Sequence, residues 1–134
     1  MIMEEIVDFI RNCKYYFIAT MDGDQPRVRP FGTVDVFEGK LYIQTGKCKE
    51  VSKQISANAK VEICAFDPTG ERWVRVAGTL VEDDRMEPKA HMLDCYPELK
   101  AMYAADDPNT EVLYFEDAVA VFYSFTDSPC YVKF

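Results

Sequence analysis

Apolar and polar positions alternate with a period of two along most of the chain, which is the pattern of half-buried β-strands. Near the N-terminus the period is helical instead, with apolar residues at Ile2, Ile6, Phe9, Ile10 and Cys13. Acidic residues stand in the first turn of this segment, where they favour the positive end of the helix dipole. The sequence therefore begins with a predicted amphipathic helix over residues 2–12.

Three strand-like runs follow, and very short links separate them. Residues 14–21 are apolar enough for a buried strand, residues 27–37 are predicted as one long strand, and residues 41–45 as a third. The links contain Asp-Gly and Glu-Gly pairs, which are typical of tight turns. Because consecutive strands with short links pair with each other, an antiparallel meander is predicted.

The remainder of the chain alternates between short helices and strands. A helix is predicted at residues 50–58, and residues 85–105 are helical in character but divided by Pro88 and Pro97. Gly78 marks a predicted bulge or bend in its strand. Further strands are predicted at residues 60–67, 72–82, 111–116, 118–125 and 130–134.

The fold class follows from the count and order of these elements. The sequence has 134 residues, no internal repeat and no linker, so a single domain over residues 1–134 is predicted. Hydrophobic residues make up 49%, enough for a real core. Six or more strands with interposed helices predict a mainly β protein, an antiparallel β-barrel with peripheral helices.

Charge and hydropathy exclude several classes of partner. The formal net charge is −8, whereas a nucleic-acid-binding protein needs a broad basic footprint. No apolar run approaches the roughly 20 residues that cross a bilayer. The first residues also lack the basic and apolar regions of a secretory signal. A cytoplasmic protein without nucleic-acid or membrane partners is expected.

The cysteines give no sign of a disulfide framework or of a metal centre. There are five of them, an odd number, and no CxxC pair occurs. Free thiols in a reducing compartment are the simplest interpretation. Cys48, between Lys47 and Lys49, has cationic neighbours that can make a thiol reactive. No Cys or His close in sequence supports a catalytic role there, and no metal site is predicted.

The residues that point most clearly to a function lie between the third strand and the following helix. Thr45, Lys47, Lys49 and Lys53 put hydroxyl and ammonium groups at this junction, although the chain as a whole is acidic. At a helix start, free backbone N–H groups and the helix dipole add to the attraction for an anion. The junction is therefore predicted to bind an anionic group such as a phosphate.

Two arginines of the preceding strand extend this prediction. Strand alternation places Arg27 and Arg29 on one face, where they repel each other unless an anion or carboxylates lie between them. The alternative is a solvated face, or pairing with Asp35 and Glu38. Pro30 cannot donate a hydrogen bond to a neighbouring strand, so this strand is predicted to be an edge strand or to be bulged.

A second candidate group is Trp73 and Arg75, which share one face of their strand. Trp73 can serve as a platform for an aromatic ring, and Arg75 can reach a phosphate. Core packing or a dimer contact explains the tryptophan equally well. His91 is the only histidine and is interpreted as a helical surface residue. No hydrolase, P-loop or dinucleotide motif occurs. If the protein is an enzyme, a cofactor is therefore expected to supply the reactive atoms.

The order of these parts resembles the pyridoxamine 5′-phosphate oxidase-like, FMN-binding split-barrel family, including its short nitroimidazole-reductase-like members. After the opening helix, the resemblance is carried by YYFIATMDGDQPRVRPFGTV, GKLYIQTGKCKEVSKQISANAKVEICAF, ERWVRVAGTLVEDD and DAVAVFYSF. It implies a six-stranded antiparallel split β-barrel. It also implies a homodimer with one FMN in each of two clefts between the subunits.

The resemblance also implies roles for individual residues. Arg29 takes the part of the strand arginine that holds the flavin phosphate, together with Thr45, Lys47 and Lys49 of the turn, and Lys53 stands further along the helix. The residues implied to lie along the flavin are Phe31, Gly32 and Gln44. Trp73 and Arg75 of the partner subunit are implied to shape the ring pocket. No side chain is assigned as a catalytic acid or base.

Two departures narrow the expected activity. The true oxidases have a Gln where this chain aligns Trp73, and the Trp and Arg that they carry near the C-terminus have no counterpart here. Pyridoxamine phosphate oxidation is therefore not expected. The prediction is an FMN oxidoreductase that passes hydride or electrons from NAD(P)H to a small acceptor. Alternatives are a module that binds FMN or a pyridoxal phosphate-like ligand without turnover, a structural dimer with an empty cleft, and, from other members of the superfamily, haem or deazaflavin as the ligand.

Overall fold

The computed structural model describes residues 2–134 as eight strands, three α-helices and a 3₁₀ turn. The helices are α1 (Met3–Asn12), α2 (Glu50–Ala57) and α3 (Met86–Cys95), and the 3₁₀ turn is Pro97–Ala101. The strands are β1 (Tyr16–Asp22), β2 (Gln25–Phe31), β3 (Asp35–Phe37), β4 (Lys40–Gly46), β5 (Lys60–Asp67), β6 (Arg72–Glu82), β7 (Thr110–Ser124) and β8 (Cys130–Lys133). Within these residues no helix has the length and apolar character needed to cross a bilayer.

All eight strands belong to one antiparallel sheet. Its order is β2-β1-β5-β6-β7-β4-β3, and β8 pairs with β7 beside this path. The two short strands, β3 and β8, have 3 and 4 residues, and the other strands have 7 or more. The predicted mainly β, split-barrel fold is confirmed, with two short strands in addition to the six expected.

The inner face of this curved sheet carries the core. Alternate residues of β1, β5 and β6 are buried, for example Ile18, Ile63 and Val76. Helix α1 covers the core with one stripe that includes Ile6 and Ile10. The period-two pattern of these three strands therefore has a direct cause, because one side of each strand faces apolar side chains and the other does not.

The predicted long strand over residues 27–37 is wrong, and so is the meander. Gly32, Thr33 and Val34 lie outside the sheet and separate β2 from β3, which occupy opposite ends of the strand order. Strand β2 pairs with β1, whereas β3 pairs with β4. Alternation continues across the break, so the sequence contains no local sign of it. Strand β2 is an edge strand, as Pro30 predicted.

Proline and strand length account for two further differences. Pro97 begins the 3₁₀ turn as predicted, but Pro88 lies inside the first turn of α3, where its missing N–H costs nothing. The two predicted strands at residues 111–116 and 118–125 form the single strand β7. Its first part pairs with β4 and its last part with β8, and Asp117 between them has a φ of 50°.

Gly78 sits at a bulge, as the sequence predicted, and the structure shows why a side chain is excluded there. The register of β6 against β7 shifts between Ala77 and Thr79. A Cβ atom on Gly78 would lie 2.6 Å from the Cβ of Ala118 and 3.0 Å from its Cα. The strands can only approach this closely because residue 78 has no side chain.

We predict that Gly78→Ala lowers the free energy of unfolding by about 1 to 3 kcal/mol, the usual cost of overpacking. Urea denaturation followed by tryptophan fluorescence measures the change. Gly23→Asn is the matched control, because nothing lies within 4 Å of a Cβ at Gly23 and its φ of 62° is tolerated by asparagine. Equal stability of the two variants would contradict the packing explanation.

Candidate functional site

A cleft of about 400 Å³ opens where β2 and β4 end and α2 begins. Six of the residues that the sequence predicted for the site line it: Arg29, Phe31, Gly32, Gln44, Thr45 and Lys49. Lys47, Lys53, Trp73 and Arg75 do not line it. The predicted site is therefore brought together in part, by two strands that are not neighbours in the sheet.

Arg29 is the best-defined cation of the cleft. Its Nη1 donates to the carbonyl oxygen of Ile18 at 3.3 Å and to Oγ1 of Thr20 at 2.8 Å. Its Nη2 donates to Oε1 of Gln54 at 2.7 Å, so α2 helps to fix the guanidinium. All three acceptors are neutral. Burial is the main cause that lowers the pKa of Arg29, and the positive charge of the nearby Arg27 is the second cause. An arginine stays charged nonetheless. Among residues 2–134, no carboxylate forms an ion pair with this positive charge.

Arg27, on the same strand, contrasts with Arg29. It forms an exposed ion pair with Asp22, with 3.2 Å between Nε and Oδ2. Neither of the partners considered from the sequence, Asp35 and Glu38, contacts it, because Asp35 faces Arg11 and His91 while Glu38 pairs with Arg85. The two arginines thus differ in whether their charge is already balanced.

The three lysines of the predicted anion site also differ in whether a carboxylate balances their charge. Lys47 Nζ lies 3.0 Å from Glu82 and 3.9 Å from Asp84, and Lys53 lies 3.2 Å from Glu50. Hydrogen bonding to Glu82 is the main cause that raises the pKa of Lys47. Lys49 lines the cleft and forms no ion pair among the residues described. The roles of Lys47 and Lys53 in phosphate binding stay predictions, since their present partners would have to release them.

Two side-chain oxygen atoms near the end of β4 are buried in the folded chain. Oε1 of Gln44 and Oγ1 of Thr45 are buried without a hydrogen-bond partner in residues 2–134. Buried polar atoms are almost always hydrogen-bonded, because leaving one unpaired costs about 1 to 3 kcal/mol. Both residues line the cleft, so a ligand there could supply the missing partners.

The cleft has further walls that the sequence analysis did not identify. Thr33 lies in the connection between β2 and β3, and the hydroxyl of Tyr16 donates to its carbonyl oxygen at 2.5 Å. Leu99, Met102 and Tyr103 come from the 3₁₀ turn and the residues after it, and they form an apolar wall. Their sequence separation from β4 is large, and their only local sign was the apolar spacing after Pro97.

Helix α2 is fixed beside the cleft by a buried hydrogen bond. Ser52 Oγ donates to Oε1 of Glu111 on β7 at 2.7 Å. Burial is the main cause that raises the pKa of Glu111, and the neighbouring Glu82 raises it further, while Ser52 and Lys47 lower it. The hydrogen bond to Glu111 therefore holds the start of the helix in place, while burying the ionised carboxylate lowers the stability of the fold.

This raised pKa predicts a pH dependence of stability. A carboxyl group with a higher pKa in the folded state stabilises the fold below its unfolded pKa, and that contribution is lost as pH rises through the folded value. Glu111→Gln should therefore unfold at a higher temperature than the wild type at pH 7, and the difference should shrink towards pH 4.5. Thermal melts across this range measure it. A Gln variant that is less stable at pH 7 would contradict the assignment.

Trp73 and Arg75 form a separate cluster on the outer face of the sheet. The Trp73 ring stacks on Tyr123 with 5.3 Å between centroids, and Arg75 donates to the Tyr123 hydroxyl. The prediction that both residues share one face is confirmed by the register of β6. Their contact with a cofactor was expected across a subunit interface, and it stays a prediction.

The residues of the cleft fit the phosphate and ribityl part of FMN. Arg29 and Lys49 supply uncompensated positive charge, and the first turn of α2 adds free backbone N–H groups. Thr45 and Gln44 offer unpaired polar atoms to hydroxyl groups or ring heteroatoms. The apolar wall of Leu99 and Met102 suits a flat hydrophobic group.

Comparison with known proteins identifies the family and the fold of this chain. The family model of pyridoxamine 5′-phosphate oxidase matches residues 2–119. A NimC/NimA family protein from Clostridium acetobutylicum is 39% identical, with a TM-score of 0.93 over 98% of this chain and 92% of that one. No functionally curated protein matches the sequence at a significant level.

More distant structures share the fold alone. General stress protein 26 from Bacillus anthracis str. Sterne is 17% identical, with a TM-score of 0.75 over 98% of this chain and 97% of that one. A haem-binding protein from Mycobacterium smegmatis is 14% identical, with a TM-score of 0.75 over 95% of this chain and 56% of that one. The match over residues 2–119 and the 39% identical relative show that the chain belongs to the pyridoxamine 5′-phosphate oxidase family.

Proposed function

We propose that this protein binds FMN in the cleft between β2, β4 and α2 and uses it as an oxidoreductase. The observation that carries the proposal is a partly buried arginine, Arg29, whose three hydrogen-bond acceptors are all neutral. A phosphate dianion would balance this charge and that of Lys49 at the start of a helix. Membership of the family supports FMN as the molecule that carries the phosphate.

The chain would hold and orient the cofactor, whose ring supplies the redox chemistry. Arg29, Lys49 and the α2 amides would bind the phosphate. Further along the molecule, Thr45 Oγ1 would donate or accept a hydrogen bond, and Gln44 Oε1 would accept one. Phe31, Gly32 and the Leu99–Met102 wall would exclude water from one side. No side chain of the cleft is proposed to act as an acid or a base.

The proposed reaction is transfer of hydride or electrons from NAD(P)H to a small acceptor. The other candidate, storage or sensing of FMN or of a pyridoxal phosphate-like ligand without turnover, uses the same phosphate contacts. Pyridoxamine phosphate oxidation is not proposed, because Trp73 stands where the true oxidases are expected to have a Gln. The choice between turnover and storage depends on whether a nicotinamide can reach the bound ring.

We further propose that the active form is a homodimer that associates through the outer face of the sheet. Phe17, Val28, Phe66 and Tyr131 are between 47% and 67% exposed on this face. The register places them on one face that runs across β2, β1, β5, β6, β7 and β8, a largely apolar surface that also contains Arg75. Pro30 belongs both to this surface and to the wall of the cleft, so a second copy docked here would lie next to the cofactor.

Spectroscopy of the purified protein tests the proposed function. The protein should contain or take up one FMN per chain, and anaerobic addition of NADH or NADPH should bleach the flavin band. Bound FMN that neither donor reduces would favour the storage or sensing alternative. A haem spectrum, or a colourless protein whose melting temperature does not rise with added FMN, would contradict FMN binding.

A further inference from the structure

Three side chains with different metal-binding atoms converge where α3 meets β3. Asp35 belongs to β3, while His91 and Cys95 lie one turn apart on the same face of α3. Their ligand atoms all lie within 4.8 Å of one another. His91 Nδ1 is 2.5 Å from one carboxylate oxygen of Asp35, and Cys95 Sγ is 3.4 Å from the other.

We propose that Asp35, His91 and Cys95 bind one divalent transition-metal ion, with Zn²⁺ the best match. Zinc accepts this mixture of carboxylate oxygen, imidazole nitrogen and thiolate sulfur, whereas calcium and magnesium prefer oxygen alone. Three protein ligands leave a fourth position for water or another small ligand. None of the three residues lines the FMN cleft, so the proposal does not depend on the proposed function.

The geometry needs only a small adjustment to take the ion. Tetrahedral zinc holds neighbouring ligand atoms about 3.3 to 3.6 Å apart, given its bond lengths of about 2.0 to 2.3 Å. The 3.4 Å from Cys95 Sγ to one carboxylate oxygen already fits this spacing. The 2.5 Å from His91 Nδ1 to the other oxygen has to widen by about 1 Å, and the longest separation in the group, within 4.8 Å, has to shorten by about as much. The His91 side chain is 49% exposed, so it is free to move, while Asp35 is buried and stays in place.

Charge does not oppose the site. Cys95 loses its proton on binding and the hydrogen bond between His91 and Asp35 opens, so a thiolate and a carboxylate together neutralise the ion. The guanidinium of Arg11, 3.6 Å from Asp35, then faces a neutral unit and is also held by the carbonyl oxygen of Val34. The backbone N–H of Val36 donates to the same carboxylate at 2.8 Å and fixes its orientation.

Cobalt and zinc titrations of the untagged full chain test this proposal. One Co²⁺ per chain should bind and give a thiolate-to-cobalt charge-transfer band in the near ultraviolet, and Zn²⁺ should displace it. Cys95→Ser should abolish the band, and His91→Gln should weaken Zn²⁺ binding by at least about 10- to 100-fold. Both positions are accessible to solvent, so these variants should keep the fold, which circular dichroism checks.

Cys130→Ser is the matched control, because Cys130 is also an exposed free cysteine but lies on β8, away from α3. It should bind cobalt with the wild-type spectrum. The proposal would be overturned by less than one bound ion per chain at saturation, or by a charge-transfer band that survives in Cys95→Ser. Loss of FMN binding in any of these variants would leave this conclusion unaffected, since it is read from the metal.

Discussion

Arg29→Ala is expected to weaken FMN binding by roughly 10- to 150-fold, because hydrogen bonds to a charged group contribute about 1.5 to 3 kcal/mol. The guanidinium is already fixed by Thr20, Gln54 and the Ile18 carbonyl, so little ordering is lost when the phosphate binds. Its charge has no competing carboxylate partner in the described part of the chain. Titration of FMN into the protein, followed by quenching of flavin fluorescence, measures the loss.

Arg27→Ala is the matched control for this experiment. Arg27 stands two residues away on the same strand and carries the same charge, but Asp22 balances it at the surface. Its removal should change the FMN affinity by less than about threefold, because exposed charges act weakly at a distance in salt. An Arg27→Ala variant that loses as much affinity as Arg29→Ala would mean that general charge, rather than a shaped phosphate site, attracts the cofactor.

Phe17→Glu is expected to convert the proposed dimer into a monomer and to lower FMN affinity as well. Phe17 is 53% exposed in the single chain and lies opposite Pro30, at the border of the cleft. Loss of an aromatic contact at the centre of an interface costs about 2 kcal/mol or more, and a charge placed there adds a desolvation penalty. The dimer dissociation constant should therefore rise by more than about 30-fold.

Size-exclusion chromatography with light scattering measures the mass of this variant. Met86→Glu is the control, because Met86 is similarly exposed but lies at the start of α3, outside the outer face of the sheet. It should remain dimeric and bind FMN. A Phe17→Glu protein that stays dimeric would contradict the proposed interface. A monomeric variant that keeps full FMN affinity would contradict a cofactor site shared between subunits.

The sequence predicted the elements of the fold better than their pairing. The apolar run of residues 14–21 identified β1, and alternation is clear in β5 and β6, because one face of each strand meets the core. It could not show that residues 32–34 leave the sheet, since the pattern continues unchanged while the chain passes from one end of the sheet to the other. Which strands pair depends on contacts between distant parts of the chain, and local periodicity contains no information about them.

For the site, too, the sequence predicted the residues better than the contacts between them. Residue types and the position of a helix start pointed to Arg29, Thr45 and Lys49, which do meet in the cleft. Lys47 differs from Lys49 only because Glu82, on a distant strand, lies within 3.0 Å of it. The approach of Asp35 to His91 has the same origin, since 56 residues separate them in sequence. Charge balance at a site is a property of the folded chain.

Comparison of FMN with riboflavin tests the central claim most directly, because the two molecules differ only in the phosphate. Calorimetric titration of the wild-type protein should give one FMN per chain. Riboflavin should bind at least about 10-fold more weakly, since it cannot use the charges of Arg29 and Lys49. Equal affinity for the two flavins, or no binding of FMN, would contradict a phosphate site between β2, β4 and α2.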